Sequence, residues 1–384
     1  MGKYPFGTCS HIFRVAIFLC VVWSLLLAGQ AFAADKTVRI GIISAKTGEA
    51  ARAGLRIADA ARFAAAEINA HGGFLGHHVV LIEFDNKSTP EGSADAARQA
   101  VKADVLAVVG AAWSANSLAA AKILQPAGIP MISPLSTNPD VTRVGDYIFR
   151  ISFTDDFQGK GLAQFALTNI KAATAVVLVN EKRPYSRDLA EAFIATFQSG
   201  DGRLLWRGYY DSDAVSYDDI IRTTAGFKPD VVFIPDSFKD VGGFLVAAKQ
   251  LGVNSKFLCG DGIGLKLYDE IGFDAEGVYY SNHWSRWVNS PESKEFVRKF
   301  ESVYGPIKTN APALTYDCMN VLADAVRRSG SLKRKKVRDA LSETAGFKGI
   351  TGTISFNSFG DPVKSMTINQ LRFGGLLFVE QITP

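Results

Sequence analysis

The chain is short of the side chains that carry much protein chemistry. Its 384 residues hold four cysteines, five histidines and four methionines. Cys9 and Cys20 sit near the N-terminus, within or beside an apolar stretch, which leaves Cys259 and Cys318 for the rest of the chain. Two cysteines are too few for a disulfide-built scaffold. In an oxidising compartment they can pair. Equally, Cys318 lies in a helical pattern and Cys259 ends an apolar strand, which suits two separate buried thiols. His71, His77 and His78 cluster in HGGFLGHH, but no Cys, Asp or Glu stands beside them at a zinc-like spacing. That stretch reads as a solvent-facing glycine-rich turn, and His283 stands alone. There is no Gly-x-Ser-x-Gly elbow and no phosphate loop ending in Gly-Lys-Ser/Thr. Charge of neither sign dominates: 42 basic against 38 acidic residues gives +4. Nothing here points to nucleic acid or an anionic membrane surface. No metal and no cofactor are expected.

One segment mimics a cofactor site. Gly260-Asp261-Gly262-Ile263-Gly264 follows a strand, but a dinucleotide fingerprint needs glycine where Leu265 stands. Asp261 would also set a carboxylate against a pyrophosphate, a repulsion that a helix N-terminus does not easily offset. A cation facing Asp261 fits better.

Long hydrophobic runs are also scarce. The one at the N-terminus, Val15 to Ala28, follows Lys3 and Arg14 and precedes Ala31-Phe32-Ala33. Basic start, apolar centre and small-residue end make residues 1–33 a secretory signal peptide. The apolar part is short for a membrane span. Removing Lys3 and Arg14 leaves 40 basic against 38 acidic residues, a net +2. The expected product is an exported protein of about 350 residues, more than one core usually serves.

What remains alternates apolar β-branched runs with alanine-rich amphipathic segments. Strands are expected at Val38–Ile43, Val79–Asp85, Leu106–Val109, Met131–Ser133, Ala175–Asn180, Leu204–Tyr210, Asp230–Pro235, Lys256–Cys259 and Gly277–Tyr280. Most are apolar throughout, as strands covered on both faces must be. Helical periodicity fills the gaps, including Leu55–Ala70, Ser117–Gln125, Gly159–Asn169 and Ser186–Gln198. Strand then helix, run through twice, implies two parallel α/β sheets. Two long helices follow, Pro291–Tyr304 and Ala313–Arg328, and then a basic run, Lys333 to Arg338, read as a solvated helix face. Antiparallel strands are expected at Gly352–Phe356, Ser365–Arg372 and Leu376–Val379.

Ligands of open α/β sheets bind beyond the carboxyl ends of the strands. Ser114, Thr137, Tyr185 and Asp261 lie shortly past such ends. Ser114 stands at a helix start whose first N–H groups lack partners, a place for a carboxylate. Ser114 or Asn116 can equally serve as the cap. Thr137 offers a second hydroxyl, the backbone around Leu135 an N–H and a carbonyl, and Tyr185 a phenol. Asp261 can take an ammonium group, or be an ordinary Asp-Gly turn. Trp113 is a pocket wall or packing. Together these groups suit a zwitterion.

The chain also resembles the type I periplasmic solute-binding proteins of branched-chain amino acid ABC transporters. The resemblance rests on Thr47-Gly48, on Glu67-Ile68-Asn69-Ala70-His71-Gly72-Gly73 with Gly76, and on Pro90 after Asp85. It continues through Val109-Gly110 with Ser114, Pro130-Met131-Ile132-Ser133-Pro134 with Ser136-Thr137, Phe149-Arg150, and Gln158-Gly159. Gly349-Ile350-Thr351-Gly352 and Phe356 with Gly360-Asp361 close it. It implies two Rossmann-like lobes, residues 34–154 with about 285–358 and residues 155–284 with about 359–384, joined by a three-strand hinge. It also implies a non-enzymatic, monomeric receptor that delivers an amino acid or related solute to an inner-membrane permease. Trp113, Ser114, Leu135, Ser136, Thr137, Tyr185 and Asp261 are the residues it places around the ligand. A sensory receptor, or one for an amide, urea or aromatic acid, keeps the same fold. Two positions depart from the family pattern. Ala53 and Ser237-Phe238 stand where aromatic contacts are common, which widens the side-chain end and implies a ligand other than leucine. Arg52 there can meet an acidic side chain or stay solvated.

Overall fold

A computed structural model describes residues 36–211, 217–287 and 290–383, with Met1 and Gly2. The expected signal segment therefore lies outside the described residues. No helix among those described is long and apolar enough to cross a membrane.

The first lobe is built from β1 (Thr37–Ser44), α1 (Ala51–Ala70), β2 (His78–Asp85), α2 (Pro90–Lys102), β3 (Ala107–Gly110), α3 (Ser114–Leu124), β4 (Met131–Ser133), α4 (Asp140–Arg143) and β5 (Ile148–Arg150). Its five strands are all parallel, in the order β2-β1-β3-β4-β5. Alternate side chains of a strand face opposite ways, and both directions are apolar here. Ile40 and Ile42 meet Ile57 and Ala61 of α1, while Ile43 and Val108 meet Ala97 of α2 and Ala121 of α3. Close approach matters at one point: a Cβ on Gly54 of α1 would fall 1.9 Å from the carbonyl oxygen of Ala45.

After β5 the chain crosses over. The second lobe holds α5 (Asp155–Phe165), β6 (Thr174–Asn180), α6 (Pro184–Ser199), β7 (Arg203–Tyr210), α7 (Asp218–Phe227), β8 (Val231–Ile234), α8 (Phe238–Gln250), β9 (Lys256–Cys259), α9 (Lys266–Ile271) and β10 (Tyr279–Asn282). Val177 and Val179 pack on α5 and α6, and Val176 and Leu178 on α7 and α8. The chain then returns with α10 (Pro291–Tyr304), α11 (Ala311–Ser329), α12 (Arg334–Ser342) and a small hairpin, β11 (Phe347–Gly349) and β12 (Gly352–Ile354). Leu314, Cys318 and Leu322 of α11 complete the first core against α1. A third crossing leads to β13 (Met366–Arg372) and β14 (Gly375–Ile382), which close the second sheet antiparallel in the order β14-β13-β10-β9-β8-β6-β7. The expected fold class, two mainly parallel α/β lobes, is what the chain adopts.

Helix starts differ from expectation for a physical reason. Apolar periodicity begins only where a helix first touches the core, whereas the first turn is set by caps. Thr89 caps α2 by accepting from the N–H of Gly92, and Thr154 caps α5 through Phe157 N–H. The last strand of the parallel series, β10, lies two residues beyond its expected place. The basic run forms the outer face of α12, with Val337 and Leu341 inward and Arg334 and Arg338 paired with Asp104 and Asp146. Cys259 and Cys318 are free, each buried in a different core.

Two buried charge clusters sit at the crossings. Arg150 Nε pairs with Asp361 Oδ1 at 2.6 Å, and its Nη atoms donate to Thr142 Oγ1 and to the carbonyls of Ser136 and Pro139. Lys364 Nζ donates to Thr351 Oγ1 at 2.7 Å, beside Asp317, which accepts from Thr351 and from the N–H of Ile350. Burial pushes the Lys364 amine down to about 8, partly opposed by Asp317. A lysine depressed in the fold carries a folding penalty below pH 8 that is relieved as pH rises toward its unfolded value. Stability to urea is therefore expected to rise from about pH 8 to about pH 10, by up to roughly 3 kcal/mol from this group. Lys364→Met should flatten that rise; an unchanged slope in the variant would contradict the assignment.

Candidate functional site

The loops at the carboxyl ends of β1, β3 and β4 face those after β6, β8 and β9 across the gap between lobes. Contacts already span it. Asn138 Nδ2 donates to Asp188 Oδ2 at 2.5 Å, and Lys308 Nζ lies 3.2 Å from Asp269 Oδ2. One depression lies between residues 263–265 and 307–310, and another on the outer face of the first lobe along α1 and α11.

On the first lobe, α3 begins at Ser114 itself, after Trp113 in extended conformation, and no side chain caps it. Neither Ser114 nor Asn116 takes up the capping role weighed above. The N–H groups of the first turn stay open beside the Ser114 hydroxyl, which accepts from Asn138 N–H at 3.3 Å. Thr137 is buried, and its carbonyl accepts from Asp155 N–H at 2.8 Å. Leu135 is half-buried against the first core, and Trp113 is 38% exposed at the rim. Ser136 is bonded within the protein. Its hydroxyl is spent on Ala112 O and Ser117 Oγ, its N–H on Ser133 Oγ, and its carbonyl on Arg150 and Ser152. It braces the loop from behind.

On the second lobe, the side chain of Asp261 is 9% accessible. Its Oδ1 accepts from Gln158 Nε2 at 2.9 Å and from the Tyr185 hydroxyl at 3.0 Å, and its Oδ2 lies 2.7 Å from His283 Nε2. Burial pushes the Asp261 carboxyl up, but the electrostatic pull of the His283 ring first, and then the hydrogen bonds from His283, Gln158 and Tyr185, outweigh it and hold the carboxyl below its ordinary value. Burial lowers His283 below the usual imidazole range, so it is a neutral ring giving its Nε2 proton to Asp261. Phe153 stacks on that ring at 3.7 Å. Burial likewise raises the Tyr185 phenol well above its ordinary value, with Asp261 adding to the effect, so it stays a donor.

Thus Tyr185 and Asp261, expected separately, form one cluster, while Ser114 and Thr137 stand on the opposite lobe. His283 and Gln158 escaped the sequence reading as site residues. The available signal was position: His283 directly follows β10, beside the end of β9. A third group lies further along the cleft, opposite the loop after β1. Arg183 Nη1 pairs with Asp236 Oδ1 at 2.5 Å and Asp240 Oδ2 at 3.0 Å; Tyr210 and Tyr217 donate to the same carboxylates. Lys266 Nζ sits 3.4 Å over the ring of Phe238. Glu49, from the first lobe, is close enough to favour the charged form of Arg183.

Comparison with known proteins fits this architecture. Residues 37–375 match the family described as Periplasmic binding protein. The Leu/Ile/Val-binding protein BraC3 of Rhizobium johnstonii is 29% identical over 344 residues, 88% of this chain and 92% of that one. The leucine binding protein LivK of Thermotoga maritima superposes with a TM-score of 0.86 at 31% identity, over 91% of this chain and 99% of its own. LivJ of Streptococcus pneumoniae, a branched-chain amino acid transporter substrate binding protein in complex with isoleucine, gives 0.85 at 26% identity, over 91% and 100%.

The Asp261 cluster has no slack. A Cβ on Gly260 would meet the Tyr185 oxygen at 2.1 Å and Gln158 Oε1 at 2.6 Å. Gly260→Ala is expected to cost about 1–3 kcal/mol of stability by forcing both side chains aside. Thermal unfolding unchanged from wild type would show that the cluster is looser than this geometry implies.

Proposed function

The chain belongs to the periplasmic binding protein family, whose members bind solutes and catalyse no reaction, and we propose that it captures a free amino acid between its lobes. The observation that carries this is a pair of opposite preferences across one gap. Open helix N–H groups with the hydroxyls of Ser114 and Thr137 suit a carboxylate. The ionised Asp261, held by neutral donors, suits an ammonium. Leu135 contributes backbone groups and Trp113 a wall. Contacts from both lobes to one ligand exist only when the gap is closed, so binding shifts the population toward closure.

The far end of the cleft argues for a ligand unlike leucine. Ser237 donates to Asp240, the ring of Phe238 is covered by Lys266, and Ala53 is small. The ion pairs of Arg183 and the nearby Glu49 suit a longer or polar side chain. We assign residues 1–33 to a signal peptide and residues 34–154 with about 285–358, and 155–284 with about 359–384, to the two lobes. We further assign the protein to a monomeric role in the periplasm, handing its ligand to an inner-membrane ABC permease. The Leu/Ile/Val-binding name of the relative and the isoleucine in the solved neighbour support the amino acid class.

A thermal-shift screen of the amino acids should raise the melting temperature with at least one of them, by mass action. Asp261→Asn is then expected to weaken its binding by about 2–5 kcal/mol in titration calorimetry. Unchanged affinity would remove Asp261 from the site.

A further inference from the structure

Charges of both signs gather at the far end of the cleft, and they are not equally partnered. On the second lobe, Arg183 follows β6, Phe238 opens α8 and Lys266 opens α9. The N–H of Phe238 donates to the Gly262 carbonyl at 3.1 Å, which sets its ring beside the loop that carries Asp261. On the first lobe, Glu49 lies in the loop after β1 and Arg52 in the first turn of α1. The acids of the second lobe are engaged. Asp236 accepts from Arg183, the Tyr210 hydroxyl and Ser237 N–H, and Asp240 from Arg183 and the hydroxyls of Tyr217 and Ser237. Lys266 is different. Its Nζ lies 3.4 Å over the Phe238 ring, half-buried, and among the described residues no carboxylate comes within ion-pair distance of it. A ring face stabilises a cation but brings no counter-charge.

Arg52 is likewise without an ion pair, and it is near enough to Lys266 to act on it across the gap. Burial lowers the Lys266 amine from its ordinary value; Glu270, Glu49 and Asp269 oppose the fall, and Arg52 adds to it. Of those acids, Glu270 is exposed on the same helix and Asp269 pairs with Lys308, so Glu49 is the one that faces the two cations from the first lobe. Two like charges brought together by closure repel, and an anion set between them removes the repulsion. We propose that Lys266 and Arg52 hold an anionic group on the ligand's side chain, so that the solute is an amino acid with a second carboxylate. The proposal rests on the amino acid reading above and names the class of side chain. A cationic side chain fits less well, because Asp236 and Asp240 already accept from three donors each.

The test is titration calorimetry of the full mature protein with aspartate, glutamate and 2-aminoadipate, set against asparagine, glutamine, leucine and lysine. In the wild type, at least one dicarboxylic amino acid should bind about 10- to 100-fold more tightly than the neutral and cationic ones, the range expected for a charge-assisted contact. The ranking needs no variant. Lys266→Met keeps an unbranched chain over Phe238 and should lower the ratio of acidic to amide affinity about 10-fold or more. Arg52→Gln should lower the same ratio, and Glu49→Gln should raise it by removing the competing acid. If leucine or lysine binds more tightly than every dicarboxylic amino acid, the proposal is overturned and the amino acid reading stands. A ratio unchanged in Lys266→Met or in Arg52→Gln overturns the cation pair as well. If none of these amino acids binds, both readings fall.

Discussion

A carboxylate removed from water must be met by donors, and the cleft is organised around one such group. Asp261 draws its donors from three separate places: Gln158 on α5, Tyr185 at the start of α6 and His283 after β10. Gln158 and His283 are fixed by burial and Tyr185 by packing on the second core, so the negative charge and the walls around it hold one another in place. The neutral state of His283 matters here. A protonated ring would cancel the charge, whereas a neutral one fixes the position of the carboxylate and leaves it able to attract a cation.

The crossings between lobes follow the same logic of enclosed charge. Arg150 in the first crossing is bound to Asp361 in the third, so two of the three connecting segments are tied to each other. Lys364, further along the third, is tied through Thr351 to Asp317 on α11 of the first lobe. Pairs of this kind add little net stability relative to apolar packing, but breaking one partner away is costly. The rim contacts that do bridge the gap, Asn138 to Asp188 and Lys308 to Asp269, are polar and partly exposed.

Much of the fold was legible because strands covered on both faces must be apolar throughout, as β3 and β6 are. Short β5 was less so: Ile148–Arg150 ends in a charge, and its burial depends on Asp361, over two hundred residues away. In the site, Ser114, Thr137, Tyr185 and Asp261 could be singled out by their position after strands. What the sequence could not convey was their bonding. Ser136 looks like its neighbour Thr137, yet it faces inward to Ser117. His283 looked solitary because its partner lies 22 residues earlier, just past the end of the adjacent strand β9. Asp155 looks like an ordinary first-turn acid of a helix, and only the packing around it shows that it is enclosed.

The central claim is that the cleft reads both ends of a zwitterion at once. The most direct measurement compares three ligands sharing one side chain: the amino acid, its 2-hydroxy acid lacking the ammonium, and its amide lacking the carboxylate. Loss of either charged end should weaken binding at least ~10-fold, the order expected for a charge-assisted hydrogen bond in a closed site. A 2-hydroxy acid that binds as tightly as the amino acid would contradict the account, because Asp261 would then have no cation to hold.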